Sequence, residues 1–436
     1  MITVLVVAAC ACLLMIASVL FLPSVKIKGH TLSVYWLPVL IGAVVILCTG
    51  ALPIKEAMVG LMRSDGVNPF KILILFISMT VMSVYLDEIG FFRYLAKEVL
   101  KRAGHSQIRT FIYLYLTVSV LTVFTSNDIV ILTFTPFICY FSKHANINPV
   151  PYLVSEFVAA NTWSMFLLIG NPTNVYLATS VGIDFLSYLK VMWLPALFAG
   201  IVAFLLLFVV FFHHLKTPMA PCVEAFSITE KVLFIIGIVH LGGCTILLVI
   251  CSYIGVEMWL ITLIFALSLF LVTTVYKLFC HKKPTIIAKT LHRAPWELIP
   301  FVLSMFILVL GLSYRGVSEK AAAFLSAGRW TSFVFGAAST LSANVINNIP
   351  MSVLFCSLIS YLPQAEFLPA VYATVIGSNV GAFLTPIGAL AGIMWSNILK
   401  NNHVRFTFLS FIAYGFLIAI PTLLAALMGL QLSLMI

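Results

Sequence analysis

The sequence predicts an all-α polytopic membrane protein composed of two inverted repeats. Of the 436 residues, 62% are hydrophobic and only 9% are charged, whereas about a quarter of the residues in a water-soluble domain are charged. Uncharged apolar segments long enough to cross a bilayer recur along the whole chain. Polar interruptions of these segments also follow the same order in both halves, which indicates a duplicated unit.

Ten apolar segments have a length suited to a transmembrane helix. They lie near 2–22, 34–52, 70–87, 152–182, 190–212, 229–251, 256–278, 297–314, 368–398 and 406–430. Gly, Pro, Asn and Thr interrupt 152–182 and 368–398. We therefore expect both of these to be broken helices.

Two further apolar segments carry a group of polar residues near the middle. They span about 109–142 and about 331–362, which is too long for one crossing and too short for two crossings with a loop. A re-entrant helical hairpin, which enters and leaves on one side, fits this length and keeps the backbone hydrogen-bonded.

The predicted repeats are residues 1–215 and residues 216–436. Ser78-Met79 in the first repeat recurs as Ser304-Met305 in the second, at an offset of 226 residues. Each repeat would hold five transmembrane helices, one of them broken, and one hairpin. Because five is odd, the second copy would be inverted relative to the first, an arrangement that recurs in transporters.

The distribution of Lys and Arg indicates an orientation in the cell membrane. With the N-terminus outside, seventeen of the 24 basic residues fall in cytoplasmic segments, as the positive-inside rule requires. The net charge of +10 is then an orientation signal, and no nucleic-acid partner is expected. The expected surroundings are the lipid bilayer.

Polar side chains at the hairpin tips and helix breaks are the candidate substrate ligands. Helix ends at membrane depth leave free N–H groups, and Asn, Ser and Thr can bind a polar substrate beside them. The candidates are Ser126, Asn127, Asn171, Thr173, Asn174, Asn347, Asn348, Ser378, Asn379, Thr385 and Gly388. The alternative is that these residues only cap hairpins and hold helices together.

Asp128 is predicted to couple transport to proton movement. It is the one carboxylate that the segment map places deep in an apolar stretch, and such residues usually serve ion or proton pathways. The alternative is an N-cap of the second hairpin helix. Glu156 is expected at the membrane interface, and Asp87 and Glu88 are expected to be solvated.

An ATP-driven pump in a single chain and an intramembrane enzyme are not predicted, because their motifs are missing. The chain has no G-x-x-x-x-G-K-[ST] loop, no H-E-x-x-H pair and no G-x-S-x-G sequence. The nine Cys form no C-x-x-C pair and no zinc-ligand spacing. We expect no enzyme activity, no cofactor and no metal site.

The assembled motifs resemble the ion transporter superfamily, and most of all its arsenical pump membrane protein family. The similarity is carried in order by Leu86-Asp-Glu-Ile-Gly-Phe-Phe92, Ser126-Asn-Asp128, Leu132-Thr-Phe-Thr-Pro136, Ala294-Pro-Trp296, Ile346-Asn-Asn-Ile-Pro350 and Thr385-Pro-Ile-Gly-Ala-Leu390. The resemblance implies an elevator-like secondary transporter that exports arsenite or antimonite in exchange for protons. It also implies a possible soluble ATPase partner and a possible homodimer.

The first helix break differs from those permeases. Ile169-Gly-Asn-Pro-Thr-Asn174 looks more like the Gly-x-Pro-x-Asn pattern of the superfamily's anion and dicarboxylate transporters. Asn347-Asn348 in turn differs from the Ser-Asn-Thr motif of the sodium–dicarboxylate branch. The alternatives are an inward symporter of a dicarboxylate or inorganic anion, or a Na⁺/H⁺ antiporter, so the coupling ion is a proton or Na⁺.

Overall fold

The computed structural model describes residues 2–21, 24–27, 30–62, 68–219, 230–254 and 256–436. The described fold is helical apart from one antiparallel hairpin of two short strands, β1 (Ser24–Ile27) and β2 (His30–Ser33). The sequence analysis did not anticipate this hairpin. The prediction of a helical multi-pass protein is otherwise confirmed.

Among the described residues of the first half, ten α-helices precede residue 216. They are α1 (Ile2–Phe21), α2 (Trp36–Cys48), α3 (Ile54–Met62), α4 (Pro69–Ile89), α5 (Phe91–Ala103), α6 (Gln107–Phe124), α7 (Asn127–His144), α8 (Val150–Trp163), α9 (Pro172–Ser180) and α10 (Phe185–Leu215). The pair α6 and α7 occupies the first predicted hairpin, and α8 and α9 occupy the first predicted broken helix.

Ten more helices follow among the described residues, in the same order of long and short elements. They are α11 (Lys231–Ile254), α12 (Met258–Phe279), α13 (Thr285–Arg293), α14 (Leu298–Tyr314), α15 (Val317–Leu325), α16 (Thr331–Ile346), α17 (Asn348–Ile359), α18 (Gln364–Gly381), α19 (Leu390–Asn401) and α20 (Phe408–Met435). Here α16 and α17 form the helix pair, and α18 and α19 lie on either side of the break. Residue 229, where one predicted span begins, lies outside the described residues.

Length and composition mark seven candidate spans in the described part of the chain. They are Pro69–Ile89, Gln107–Phe124, Phe185–Leu215, Lys231–Ile250, Met258–Phe279, Thr285–Tyr314 and Phe408–Met435. Six coincide with predicted spans, whereas Gln107–Phe124 is the entry arm of the first helix pair. The other predicted spans differ because α1 and α2 have shorter apolar stretches and because two helices are broken.

The helices pack as two groups. In the central group, α10 lies along α20, α6 and α7 pack on α8, and α16 and α17 pack on α18. In the peripheral group, α1 and α2 pack on α14, and α11 and α12 pack on α4. The first two helices of each half therefore contact a helix of the other half, which is α14 for α1 and α2 and α4 for α11 and α12.

Within the central group, α16 and α18 are in backbone contact. A Cβ added at Gly377 would lie 2.0 Å from the Ser339 Oγ atom, and one at Gly381 would lie 3.0 Å from the Thr340 carbonyl oxygen. Such small residues four positions apart permit close helix packing inside a membrane. The contact fixes the position of α18 beside the second helix pair.

Replacing Gly377 by Ala should destabilise the protein, since the new methyl group would overlap Ser339 and the Gly336 carbonyl oxygen. We expect a loss of about 1–3 kcal/mol in the free energy of unfolding, measured by thermal unfolding of the purified protein in detergent. The matched control is Gly242→Ala on α11, where an added Cβ meets nothing within 4 Å. Equal stability of the two variants would contradict the packing described here.

Candidate functional site

The first break, between α8 and α9, is a tight turn of the backbone. The chain makes one 3-10 turn at Leu168–Gly170, and a Cβ at Gly170 would lie 2.3 Å from the Ser164 carbonyl oxygen. The Asn171 Oδ1 atom then accepts a hydrogen bond of 3.1 Å from the Thr173 backbone N–H and begins α9. Gly170 thus permits the turn, and Asn171 caps the helix that follows.

A network of amide groups joins the first break to α18. The Asn379 Nδ2 group donates to Asn174 Oδ1 at 2.7 Å. The Asn379 Oδ1 atom accepts from Asn171 Nδ2 at 3.0 Å and from Ser164 Oγ at 2.8 Å. All four side chains are buried, so this network fixes the break against the second half of the chain.

Two hydroxyl groups extend the network. The Ser378 Oγ atom donates to Thr173 Oγ1 at 2.8 Å, and Thr173 in turn donates to Asn171 Oδ1 at 2.9 Å. The structure therefore brings together five of the predicted ligands, which are Asn171, Thr173, Asn174, Ser378 and Asn379.

The second break packs against the tip of the second helix pair. The Asn347 Nδ2 group donates to the Ile387 carbonyl oxygen at 3.0 Å, and the Asn348 backbone N–H donates to the Gly388 carbonyl oxygen at 3.0 Å. A Cβ at Gly388 would lie 2.3 Å from the Gly381 carbonyl oxygen. Asn347, Asn348 and Gly388 thus form a second cluster, on another face of α18.

Asn344 completes this second cluster, although the sequence analysis did not select it. Its Oδ1 atom accepts from Thr385 Oγ1 at 2.6 Å, and its Nδ2 group donates to the Gly381 carbonyl oxygen at 3.0 Å. It lies near the end of α16, four residues before Asn348 in the sequence, so a search for further Asn residues beside the tip would have found it.

Asn347 has a backbone conformation that ordinary residues avoid. Its φ is +73° with ψ of 154°, a region occupied almost exclusively by Gly. Its Oδ1 atom accepts from the Ile349 backbone N–H at 3.4 Å. Strained residues of this kind cluster at functional sites, which supports the assignment of the tip as part of a site.

The first tip has polar atoms without partners. The Asn127 Nδ2 group donates to Asn161 Oδ1 at 3.0 Å, whereas Asn127 Oδ1 and Ser126 Oγ are buried and accept or donate no hydrogen bond in the described structure. Thr162 Oγ1 on α8 is also buried and has no hydrogen-bond partner in the described structure. Buried polar atoms without partners are costly, so these oxygens are available to a polar ligand.

Asp128 is not the N-cap of α7, and that alternative is wrong. The N-cap is Ser126, and Asp128 lies in the first turn. The Asp128 side chain is partly exposed. Tyr35 lies close enough to Glu297 and Asp128 for both charges to act on its hydroxyl group, so Asp128 is near the peripheral helices α2 and α14.

Glu156 corrects two expectations from the sequence. It is 1% exposed and lies near the middle of α8, so it is enclosed by protein and faces neither water nor lipid headgroups, and Asp128 is not the only carboxylate inside an apolar segment. Both Glu156 oxygens lie 3.2–3.3 Å from Thr135 Oγ1, and Oε2 accepts from Trp395 Nε1 at 3.3 Å. The misplacement arose because α8 begins at Val150 and is buried along most of its length.

Asp87 and Glu88 are not simply solvated, which is a further correction. Arg293 Nη2 lies 2.7 Å from Asp87 Oδ2, and Nη1 lies 2.6 Å from Glu88 Oε1. Thr133 Oγ1 on α7 also donates to Asp87 Oδ1 at 2.9 Å. No sequence pattern could pair Arg293 with carboxylates that lie more than 200 positions away.

Two cavities lie at the boundary between the groups. One, of about 770 Å³, is lined by Asp87 at the C-terminal end of α4, Arg293 of α13 and Thr133 of α7. The other, of about 320 Å³, is lined by Ser313 at the C-terminal end of α14 and Ser357 of α17. Ser313 corresponds to Asp87 at the offset of 226 residues, so the first cavity is charged where the second has hydroxyl groups.

The candidate site itself is electrically neutral apart from Asp128. The hydrogen bonds of both clusters come from amide, hydroxyl and backbone groups, and none comes from Lys, Arg or His in the described residues. The helix starts at Asn127, Pro172, Asn348 and Leu390 contribute partial positive charge near the tips and breaks. The arrangement therefore suits a small polar molecule with several hydrogen-bonding groups.

A family model described as "Citrate transporter" (CitMHS) matches residues 31–377. The chain belongs to this family. The family and the fold establish it as a multi-pass membrane protein and a secondary transporter, as the resemblance to the ion transporter superfamily predicted.

Curated relatives match over most of the chain. The putative arsenical pump membrane protein of Bacillus subtilis (strain 168) is 24% identical, covering 84% of this chain and 87% of its own length. The arsenical pump membrane protein of Escherichia coli (strain K12) is 27% identical, covering 82% and 85%. The predicted resemblance to arsenical pump membrane proteins is confirmed as distant homology.

Two solved structures share the fold. The YdaH transporter of Alcanivorax borkumensis matches with a TM-score of 0.58 at 12% identity, covering 99% of this chain and 98% of that one. MtrF of Neisseria gonorrhoeae matches with a TM-score of 0.50 at 14% identity, covering 98% and 94%. At these identities the likeness concerns the fold alone.

Replacing Asn379 by Ala should loosen the first break, because Asn171, Asn174 and Ser164 would each lose a buried partner. We expect a loss of about 3 kcal/mol or more in the free energy of unfolding, measured by thermal unfolding in detergent. The control is Asn402→Ala, whose exposed side chain bonds only the Ile398 carbonyl oxygen. A fully stable Asn379→Ala protein would show that the network does not hold the break.

Proposed function

We propose that this chain exports arsenite, antimonite or a similar small oxyanion species in exchange for protons. The observation that carries the proposal is the neutral site, whose ligands are amide and hydroxyl groups. Arsenous acid is uncharged near neutral pH and has three hydroxyl groups, each able to donate and to accept a hydrogen bond. The names of the curated relatives favour the same substrate.

The proposed ligands are the predicted residues at the tips and breaks. Asn127 Oδ1 and Ser126 Oγ are buried atoms without partners that can bond substrate hydroxyl groups. The two clusters around α18 would hold the tips and breaks in place, with Asn171, Asn174, Asn347 and the other members contacting substrate when it enters.

We further propose that the halves 1–215 and 216–436 are inverted repeats and that the central group moves against the peripheral group. The equivalent order of the helices and the exchanged packing of α1 and α2 with α14, and of α11 and α12 with α4, support the repeats. Part of the boundary is apolar, since Ile72, Phe76, Val302 and Tyr176 line a narrow cleft there. Apolar surfaces without directional bonds can slide past each other.

Asp128 is the proposed coupling residue on the first tip. It belongs to the central group and lies near Tyr35 of the peripheral group. Because burial disfavours the charged form of a carboxylate, movement of the tip between the protein interior and water would change the protonation of Asp128. A soluble ATPase partner and a homodimer remain predictions from the resemblance.

Inward transport of citrate or another carboxylate is the second candidate. The description of the family model and the Gly170-Asn-Pro-Thr-Asn174 break favour it. A carboxylate would be attracted by the partial positive charge at the N-termini of α9 and α17, as anions commonly are at helix N-termini.

The test is accumulation of arsenite in intact cells of an efflux-deficient strain, with and without this protein, at two external pH values. We expect lower accumulation with the protein, and loss of that difference when the proton gradient is collapsed. The Asp128→Asn variant should reach the membrane but lose the gradient-dependent difference. Unchanged arsenite accumulation together with new citrate uptake would favour the second candidate.

A further inference from the structure

Glu156 is a buried carboxyl group that the proposed site does not use. It lies on α8 between α7, which contributes Thr135, and α19, which contributes Trp395. It is five residues before Asn161, the partner of Asn127 at the first tip. Glu156 therefore belongs to the same broken helix as the site, about 7 Å along its axis.

The hydrogen bonds around Glu156 fit a neutral carboxylic acid. Thr135 Oγ1 lies 2.6 Å from the Ile131 carbonyl oxygen and 3.2–3.3 Å from the two Glu156 oxygens. A hydroxyl group has one hydrogen, and the shorter contact assigns it to Ile131. The contact with Glu156 is then a hydrogen bond only if the carboxyl group carries a proton and donates it to Thr135 Oγ1.

The surroundings offer no positive charge to an ionised Glu156. No ion pair forms at this residue within the described structure. The titratable neighbour on α7 is Cys139, which is close enough to interact electrostatically with an ionised Glu156. On the same helices Lys143, His144 and Lys400 are exposed, and Tyr152 on α8 donates to Gln107. An ionised carboxylate buried without a partner would be very costly.

The second half has no equivalent carboxyl group. Asn161 and Gly170 of the first broken helix correspond to Asn379 and Gly388 at an offset of 218 residues, and this offset places Thr374 opposite Glu156. Thr374 is buried and donates to the Ala370 carbonyl oxygen at 2.7 Å. The carboxyl group is therefore not required to form a broken helix of this kind.

A route for the proton lies beside Glu156. Thr133, Pro136 and Phe137, which flank Thr135 on α7, line the cavity of about 770 Å³ together with Asn402 from the end of α19. Separation of α7 and α19 would connect the carboxyl group with water in this cavity.

We propose that Glu156 is protonated in this conformation and carries a coupling proton, which it releases to water in the cavity next to α7. The O–H bond of the carboxyl group breaks, the proton passes to a water molecule, and the remaining carboxylate is reprotonated before the cycle repeats. The inference rests on the proposed proton-coupled function, and Glu156 would act together with Asp128.

Infrared spectroscopy of the purified protein in lipid tests the protonation without any substrate. At pH 7 the wild type should show the C=O stretch of protonated carboxyl groups, and Glu156→Gln should lose the part of this absorption that comes from Glu156. The matched control is Glu366→Gln, because Glu366 is also buried but accepts hydrogen bonds from Ser326, Thr331 and the Ala327 N–H, as an ionised carboxylate does. A spectrum unaffected by Glu156→Gln would overturn the proposal.

The thermal stability of Glu156→Gln is a second measure of the protonation of Glu156, and it needs less protein than a spectrum. Gln is neutral and has nearly the shape of a protonated Glu, so Glu156→Gln should be as stable as the wild type at pH 7. A strongly destabilised Glu156→Gln protein would indicate that the native group is ionised, and it would count against the proposal.

Transport in proteoliposomes tests the coupling role, with arsenite as the probe. Glu156→Gln should retain exchange of arsenite across the membrane, while uptake driven by a proton gradient falls about tenfold or more because a proton carrier is missing. Glu156→Asp, which keeps a titratable group, should regain part of the driven uptake. Driven uptake at the wild-type level in Glu156→Gln would refute the coupling role.

The two proposals fail in distinguishable ways. If the wild type moves no arsenite, the proposed substrate is wrong, while the infrared spectrum still decides the protonation of Glu156. If the wild type couples arsenite to protons and Glu156→Gln does so equally well, only the role of Glu156 is wrong.

Discussion

The structure depends on one constraint, which is that backbone interrupted at membrane depth must be hydrogen-bonded within the protein. Two helix pairs and two broken helices interrupt the backbone here, and α18 serves both breaks. The side chains of Ser378 and Asn379 form hydrogen bonds with residues of the first break. Gly377 and Gly381 have no side chain, which allows the backbone of α16 in the second helix pair to approach closely. The proposed ligands are thus also residues that hold the interrupted helices together.

This arrangement explains why the proposed ligands other than Asp128 are uncharged. Amide groups satisfy both backbone and side-chain partners without introducing charge into a region that disfavours it. The charged residues lie instead at the boundary with the peripheral helices, where Asp87, Glu88 and Arg293 meet beside Thr133. The C-terminal end of α14 has serine hydroxyl groups beside the second cavity, so the two cavities differ chemically.

The sequence predicted the elements better than their contacts. Helix pairs and breaks could be located because a polar group inside an apolar run, with Gly and Pro beside it, is a local signal. The partners of Asn379 and Arg293 could not be predicted, because they lie more than 200 residues away. Glu156 was misplaced because its position near the start of an apolar segment resembles an interface, whereas burial depends on the helices that surround α8.

The central claim is that an uncharged substrate leaves in exchange for protons through a neutral site. The most direct test is a current measurement on proteoliposomes adsorbed to a solid-supported membrane, after a jump in arsenite concentration without a pH gradient. Because arsenous acid carries no charge and the proton carries one, the exchange must move net charge, and a transient current is predicted. A current with citrate and none with arsenite would contradict the account.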